Sequence, residues 1–174
     1  MESIYIFPLG LWARISFIIF NVVLLGVLVF ALSSFVEASP LWAKVVIIGF
    51  VVLSSLLISL LILSFVPKRL ALSDDTLQVS FYGGNKKTFP LSEFKDISPC
   101  EHALPRKGAI RTWGMSGFGI NSGVFKNPAM GEFEIYSTAG QPLFILTMNS
   151  NRLIFMNMSE TMYSSIADLI SKRR

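Results

Sequence analysis

The chain has 174 residues, of which 52% are hydrophobic and only 15% are charged, and its formal net charge is +4. One cysteine and one histidine exclude an intrachain disulfide, and they leave little from which to build a zinc site or a Ser/His/Asp or Cys/His centre. We therefore expect no enzyme, no metal and no cofactor. The modest positive charge does not favour a nucleic acid as partner.

Residues 1–14 precede the first long apolar run and include Tyr5, Phe7 and Trp12. Amphipathic aromatic residues are typical of the boundary between lipid and water. The sequence therefore predicts a short interfacial segment at the amino terminus.

Two runs of 22 residues, 15–36 and 45–66, contain no charged side chain. A helix of that length is about 33 Å long, which matches the hydrocarbon core of a bilayer. A buried core helix of a soluble protein is usually shorter and keeps a polar face, and the apolar region of a signal peptide is shorter still. We therefore expect a transmembrane helical hairpin in a multi-pass membrane protein.

Basic residues next to these runs indicate the orientation. Lys68 and Arg69 directly follow the second run, whereas the segment 37–44 between the runs carries one positive and one negative charge. Positive residues are enriched on the cytoplasmic side of a membrane, so both termini are expected to face the cytoplasm. The single Cys100 agrees with that reducing compartment.

Small and polar residues within the runs predict how the two helices pack. If the helices are antiparallel and aligned end to end, Gly26 lies opposite Ser55 and Asn21 lies beside Ser59. Small residues allow close backbone approach, and an amide in lipid needs a hydrogen-bond partner. A site for ion or substrate passage is the alternative role of Asn21, but neither run contains an ionisable residue to support it.

Residues 67–174 are mixed in composition and long enough for one small domain with its own core. Apolar and polar residues alternate over 77–81, glycines at 83–85 indicate a turn, and residues 88–91 return. This pattern predicts a β-hairpin, with Lys86 and Lys87 at its tip.

The middle of the domain, 92–107, is rich in loop residues and has room for one more strand near Ile97. Cys100 and His102 lie in this loop with no orienting partner, so a reactive thiol is not favoured. The glycine-rich stretch 114–123 could be a phosphate cradle, but no helical pattern follows it. Bends and bulges in a curved strand are the favoured interpretation.

The last part of the domain predicts three strands and a helix. Residues 132–138, 143–148 and 152–158 are separated by short turns and are typical of an antiparallel meander. Ser159 occupies an N-cap position, and apolar residues then recur at helical spacing over 159–171. We expect this helix to lay its apolar stripe across an open end or seam of the strands.

The order of these elements resembles the bacterial pleckstrin-homology-like domains of small membrane proteins. The resemblance covers 67–174, although the tryptophan that eukaryotic relatives carry in the closing helix is absent. It implies an inner-membrane protein with an α+β, mostly β domain: a partly open barrel of seven strands in two near-orthogonal sheets, capped by one carboxy-terminal helix. The residues that carry it are Arg111, Gly114, Gly123, Val124, Phe125 and the segments 133–138, 143–146 and 154–159.

Basic residues form the candidate sites for anions or lipid head groups, since a positive charge near an anionic leaflet contributes about 1 kcal/mol. A solvated loop tip is the alternative explanation of the pair that follows the first turn. The candidates are Lys68, Arg69, Lys86, Lys87, Arg106, Lys107 and Arg111.

Two functions remain open. The leading hypothesis is a non-enzymatic module, anchored in the membrane lipid bilayer, that binds a protein partner or forms a homo-oligomer through a strand edge or loop tips at the cytoplasmic surface. The alternative is recognition of anionic lipid head groups by the basic residues.

Overall fold

The computed structural model describes residues 3–36, 40–100, 108–117, 119–138 and 141–173, and it contains two long helices followed by a domain made mostly of β-strands. Helix α1 spans Leu11–Val36 and helix α2 spans Leu41–Leu63. Both begin four residues before the uncharged runs, because the helical backbone continues past the lipid-compatible stretch; α2 starts directly after Pro40.

Helix α2 is long and apolar enough to cross a membrane, and it is the one such helix among the described residues. The apolar stretch of α1 that meets the same test of composition, Ile18–Phe30, is shorter. Large apolar side chains of both helices are exposed, including Phe30 at 81% and Phe50 at 70%. An apolar surface of this extent requires cover, which a bilayer supplies. One spanning helix is therefore supported, and the second span remains a prediction.

The two helices run antiparallel and meet through a polar contact. The Ser59 hydroxyl donates to the side-chain carbonyl of Asn21, and it also lies 2.9 Å from the backbone carbonyl of Ser55. Gly26 is exposed, and a Cβ built there meets no atom within 4 Å. Because Gly26 is one residue beyond the inner row that contains Leu25, it is rotated about 100° away from the helix contact.

The first sheet has four antiparallel strands in the order β1-β2-β3-β4. Its strands are β1 (Ser3–Ile6), β2 (Pro67–Leu72), β3 (Thr76–Phe81) and β4 (Lys86–Pro90), and the last two form the predicted hairpin. The sequence pattern did not indicate β1. Its Ile-Tyr-Ile run, rich in strand-forming residues, was the available signal.

The second sheet has six strands in the order β5-β9-β10-β8-β7-β6. A single turn of 3-10 helix, Leu91–Glu93, leads into it from β4. Its strands are β5 (Phe94–Pro99), β6 (Ile110–Gly117), β7 (Ile120–Asn127), β8 (Gly131–Thr138), β9 (Leu143–Met148) and β10 (Leu153–Asn157).

The predicted meander of the last three strands is wrong. Strand β10 lies between β8 and β9, antiparallel to β9 but parallel to β8. The chain between Thr138 and Leu143 must therefore cross two strand spacings, about 10 Å. The buried Asn157 at the end of β10 satisfies this crossing, because its carbonyl oxygen accepts from Thr138 N at 2.5 Å and its amide donates to the carbonyls of Gln141 and Pro142 at 3.2 and 2.8 Å.

The predicted barrel of seven strands is not found. The described residues form ten strands in two open sheets, and no closed barrel is present among them. The count differs because β1 joins from outside the 67–174 segment, and because the glycine-rich stretch forms two long strands.

The main core lies between the two sheets and under helix α3 (Glu160–Ser171). Met162, Ile166 and Ile170 form the buried stripe of α3, which packs on β1 and β5 and so closes one side between the sheets, as predicted. Ser159 is the N-cap, and its hydroxyl accepts from Met162 N at 3.2 Å. A second apolar cluster, Phe125, Phe133, Ile135 and Phe155, covers the outer face of the second sheet.

Candidate functional site

The junction between α2 and the β domain is built on the turn between β3 and β4. Gly83 N donates to Leu63 O at 3.0 Å, and Tyr82 N donates to Val66 O at 3.0 Å. A Cβ at Gly83 would lie 2.6 Å from the Cα of Ser64, so the close approach requires glycine. The turn is therefore fastened to the last turn of α2.

Aromatic and basic side chains surround this junction. Phe65 and Trp113 make an edge-on ring contact with centroids 5.5 Å apart, and the Lys68 ammonium lies 5.6 Å from the Tyr82 ring centroid. Lys86 begins β4 directly after the turn and is exposed. We name these five residues, Phe65, Lys68, Tyr82, Lys86 and Trp113, the junction rim.

A β-bulge brings Trp113 to the junction rim. The pairing of β6 with β7 shifts between Arg111 and Trp113, so that Arg111 faces Phe125 whereas Trp113 faces Val124. The extra residue, Thr112, moves Trp113 to the face of the sheet on which Ile110 lies, because side chains otherwise alternate. Trp113 remains 67% exposed there and Ile110 72% exposed.

The close pairing of β6 and β7 next to the bulge depends on two glycines. Gly114 and Gly123 lie opposite each other with φ of +113° and +122°. A Cβ at Gly114 would lie 2.0 Å from the carbonyl oxygen of Ser122. The glycine-rich stretch therefore forms bulged, closely paired strands, in agreement with the favoured interpretation.

The predicted basic residues divide into separate groups. Lys68 and Lys86 lie on the junction rim, Arg69 is half-buried in β2, and Arg111 is exposed on β6. Lys86 and Lys87 belong to strand β4 and not to the turn. Arg106 and Lys107 lie outside the described residues, as does His102.

Lys87 takes part in a buried ion-pair network that links the two sheets. Its ammonium lies 2.7 Å from both carboxylate oxygens of Glu134, whose side chain is only 1% exposed. Arg152 donates to Glu134 and to Glu132, each at 2.9 Å. The Tyr136 hydroxyl donates to Glu134 Oε2 at 2.5 Å. Lys87 is therefore committed to the interior of the domain.

The environment of Tyr136 raises the pKa of its phenol far above the ordinary value of 10.0. Burial is the largest cause, followed by the negative charge of Glu134 and by the hydrogen bond that the phenol donates to it. The neutral phenol is thus a permanent donor to Glu134. The network has the donors and acceptors of a structural lock between sheets.

Reactive groups elsewhere in the described residues are sparse. Cys100 is half-buried beside the outer apolar cluster, and its N–H donates to Leu143 O at 2.8 Å. Within the described ranges, no group of three or more His, Cys, Asp or Glu side chains could hold a metal ion.

Both the network and the rim escaped sequence reasoning. Glu134 alternates with Phe133 and Ile135, a pattern that normally places the charge in solvent. Its burial follows from the second sheet having an apolar layer on each face, of which the strand pattern shows only one. Trp113 beside Gly114 was a signal of a special backbone, although the bulge itself is visible only in the strand pairing.

Comparison with known proteins gives no relative: the chain matches no family model, and no curated protein and no solved structure matches it. The architecture defined here is thus a mostly β domain with at least one helix able to span a membrane. The resemblance to bacterial pleckstrin-homology-like domains stays a prediction.

Proposed function

We propose that the chain is a non-enzymatic membrane-anchored module that holds its β domain at the cytoplasmic surface, where the edge of β6 binds a protein partner or a second copy of the chain. The single observation that carries the proposal is the exposed edge strand beside a membrane-spanning helix. The basic residues Lys68 and Arg69, directly after α2, favour the cytoplasmic side.

The pairing of β1 with β2 supports two membrane crossings. β1 precedes both helices and β2 follows both, yet Ile6 lies directly opposite Arg69, and Phe7 N donates to Lys68 O at 3.1 Å. The two ends of the helix pair must therefore lie on the same side of a membrane. If α2 crosses, an even number of crossings is required, and α1, with 26 residues, is about 39 Å long and can return the chain.

Strand β6 has the properties of an edge that accepts another strand. It is the longest of the four edge strands, pairs with β7 alone in the described part of the chain, and contains a single charge, Arg111. Edge strands are usually protected by charges, proline or a covering element. A second copy anchored in the same membrane presents its own β6 at the same height, which favours self-assembly by strand addition.

Disulfide cross-linking of the full chain in native membranes tests this proposal. In a Cys100→Ser background, Ser116→Cys places the lone thiol on β6, and Thr161→Cys places it on the exposed face of α3 as the matched control. We expect a disulfide-linked dimer or a cross-link to one partner from Ser116→Cys alone. Absence of any product from β6, or equal products from both positions, would contradict the proposal.

Anionic-lipid recognition is the second candidate, and the position of the β3–β4 turn favours it. The turn is fastened to the end of α2, so Lys68 and Lys86 lie where that helix would leave the bilayer. Together the two lysines would contribute about 2 kcal/mol, or roughly thirtyfold in affinity for an anionic lipid. Lys87 does not add to this, because its ammonium is held by Glu134.

Retention of lipid by the purified chain tests this candidate. The full chain is placed in nanodiscs that contain equal amounts of phosphatidylglycerol and phosphatidylcholine, and the lipids that survive re-extraction into detergent are measured by mass spectrometry. We expect enrichment of phosphatidylglycerol that the paired Lys68→Ala and Lys86→Ala substitutions remove. Lys172→Ala, at an exposed site at the end of α3, is the matched control, and equal loss in that variant would refute recognition at the rim.

A further inference from the structure

We propose that Trp113 is a membrane-contact residue: it inserts into the interfacial layer of the bilayer next to Phe65 and fixes the tilt of the β domain on the membrane. The ligand is the lipid interface itself, including that of neutral lipids, so this contact differs from recognition of anionic head groups. The inference rests on the proposed membrane anchoring by α2.

The position of Phe65 sets the height of Trp113. Phe65 follows the last residue of α2, Leu63, by two positions, and its N–H still bonds to the carbonyl of Ile62 at 3.0 Å. It therefore lies at the end of the apolar helix surface. Since the two rings are in edge-on contact at 5.5 Å, Trp113 of the distant strand β6 lies at the same level.

The chemistry of Trp113 and its neighbours suits the interfacial layer. An indole combines a large apolar ring with one N–H donor, and tryptophan is enriched where hydrocarbon meets water. Trp113 leaves 67% of its surface exposed, Ile110 is exposed on the same face, and Lys68 and Tyr82 border the same junction. A bulged backbone held by two strained glycines presents this side chain, and among the described residues Phe65 is its one aromatic contact.

Depth-dependent fluorescence quenching tests the inference, because the chain has only three tryptophans. The full chain is reconstituted in phosphatidylcholine vesicles that carry bromine either near the head-group end or near the methyl end of the acyl chain. One variant, Trp12→Phe with Trp42→Phe, retains Trp113 with no change at the site. A second, Trp12→Phe with Trp113→Phe, retains Trp42 at the start of α2.

A third variant supplies the matched control away from the junction. Lys172→Trp, in a background without the three native tryptophans, lies next to Arg173, which bonds to Asp75 in the β2–β3 turn at 2.6 Å. That turn is at the opposite end of the first sheet from the β3–β4 turn. Circular dichroism of each variant verifies that the fold is retained.

The expected result is that Trp113 and Trp42 are quenched, with Trp113 quenched more strongly by the bromines near the head group, whereas the indole at position 172 is not quenched. Quenching of Trp42 without quenching of Trp113 would overturn this inference and leave the membrane anchoring intact. Quenching of neither would overturn both. Equal quenching at Trp113 and at position 172 would also refute a specific contact.

Discussion

Removing the charge of Glu134 is expected to destabilise the β domain severely. Glu134→Gln keeps the shape of the side chain but leaves Lys87 and Arg152 without their shared counter-charge. Loss of one partner from a buried ion pair costs about 3 to 5 kcal/mol. Lys87 and Arg152 are 40% and 34% exposed, and Arg152 keeps Glu132, so the lower end, about 3 kcal/mol, applies.

Thermal unfolding of the full chain in detergent micelles, followed by near-ultraviolet circular dichroism, measures this loss. For a domain of this size, 3 kcal/mol corresponds to a fall in Tm of roughly 10 to 20 °C. Glu132→Gln is the matched control, since that carboxylate bonds to the same Arg152 but is 55% exposed, and its loss is expected to cost about 1 kcal/mol or less.

A double-mutant cycle with Lys87→Met separates the ion pair from general damage. Both residues touch, so the cost of the double variant is expected to be smaller than the summed single costs by about 1 kcal/mol or more. Equal melting of Glu134→Gln and Glu132→Gln, or strictly additive costs in the cycle, would refute the network as a lock between the sheets.

Three further outcomes are expected in the same melting assay. Because the raised pKa keeps folded Tyr136 protonated, whereas an unfolded tyrosine ionises near 10.0, stability falls as the pH rises above that value, by up to about 1.4 kcal/mol per pH unit, and Tyr136→Phe removes this part of the slope. Asn157→Asp turns a carboxylate toward two buried carbonyls of the β8–β9 connection, at a cost of about 3 kcal/mol. Gly114→Ala lowers Tm more than Gly131→Ala, because both glycines have positive φ but only the first would collide with an opposite carbonyl.

Each of these outcomes has its own control. Asn149→Asp changes an exposed amide that donates to a single carbonyl, that of Ser92 at 2.9 Å, and should cost less than Asn157→Asp. Parallel alkaline slopes for the wild type and Tyr136→Phe would contradict the raised pKa. Equal melting of the two glycine variants would show that φ alone, without the collision, sets the cost.

Local patterns predicted the elements that depend on neighbours in sequence. The hairpin over β3 and β4, the strands β8 and β9, and the N-cap at Ser159 all follow from alternation, turn residues and capping chemistry, and all are confirmed. The contact of Asn21 with Ser59 follows from helix register alone.

Long-range pairing accounts for what the sequence did not predict. Sequential strands are neighbours in most sheets, which favoured a meander, but β10 gains more by entering between β8 and β9, where Ile154 and Met156 become fully buried. Strand β1 is separated from its partner by both helices, so no local pattern connects them. The burial of Glu134 likewise depends on Lys87 arriving from another sheet.

The pairing of β1 with β2 has a consequence for biogenesis. On the proposed topology, the first strand emerges from the ribosome long before its partner and must wait on the cytoplasmic side while both helices are inserted. A chain whose amino terminus is translocated by mistake leaves the outer backbone groups of β2 unpaired and Phe7 outside the core. Completion of the domain thus acts as a proofreading step for correct insertion, with misinserted chains exposed to proteolysis.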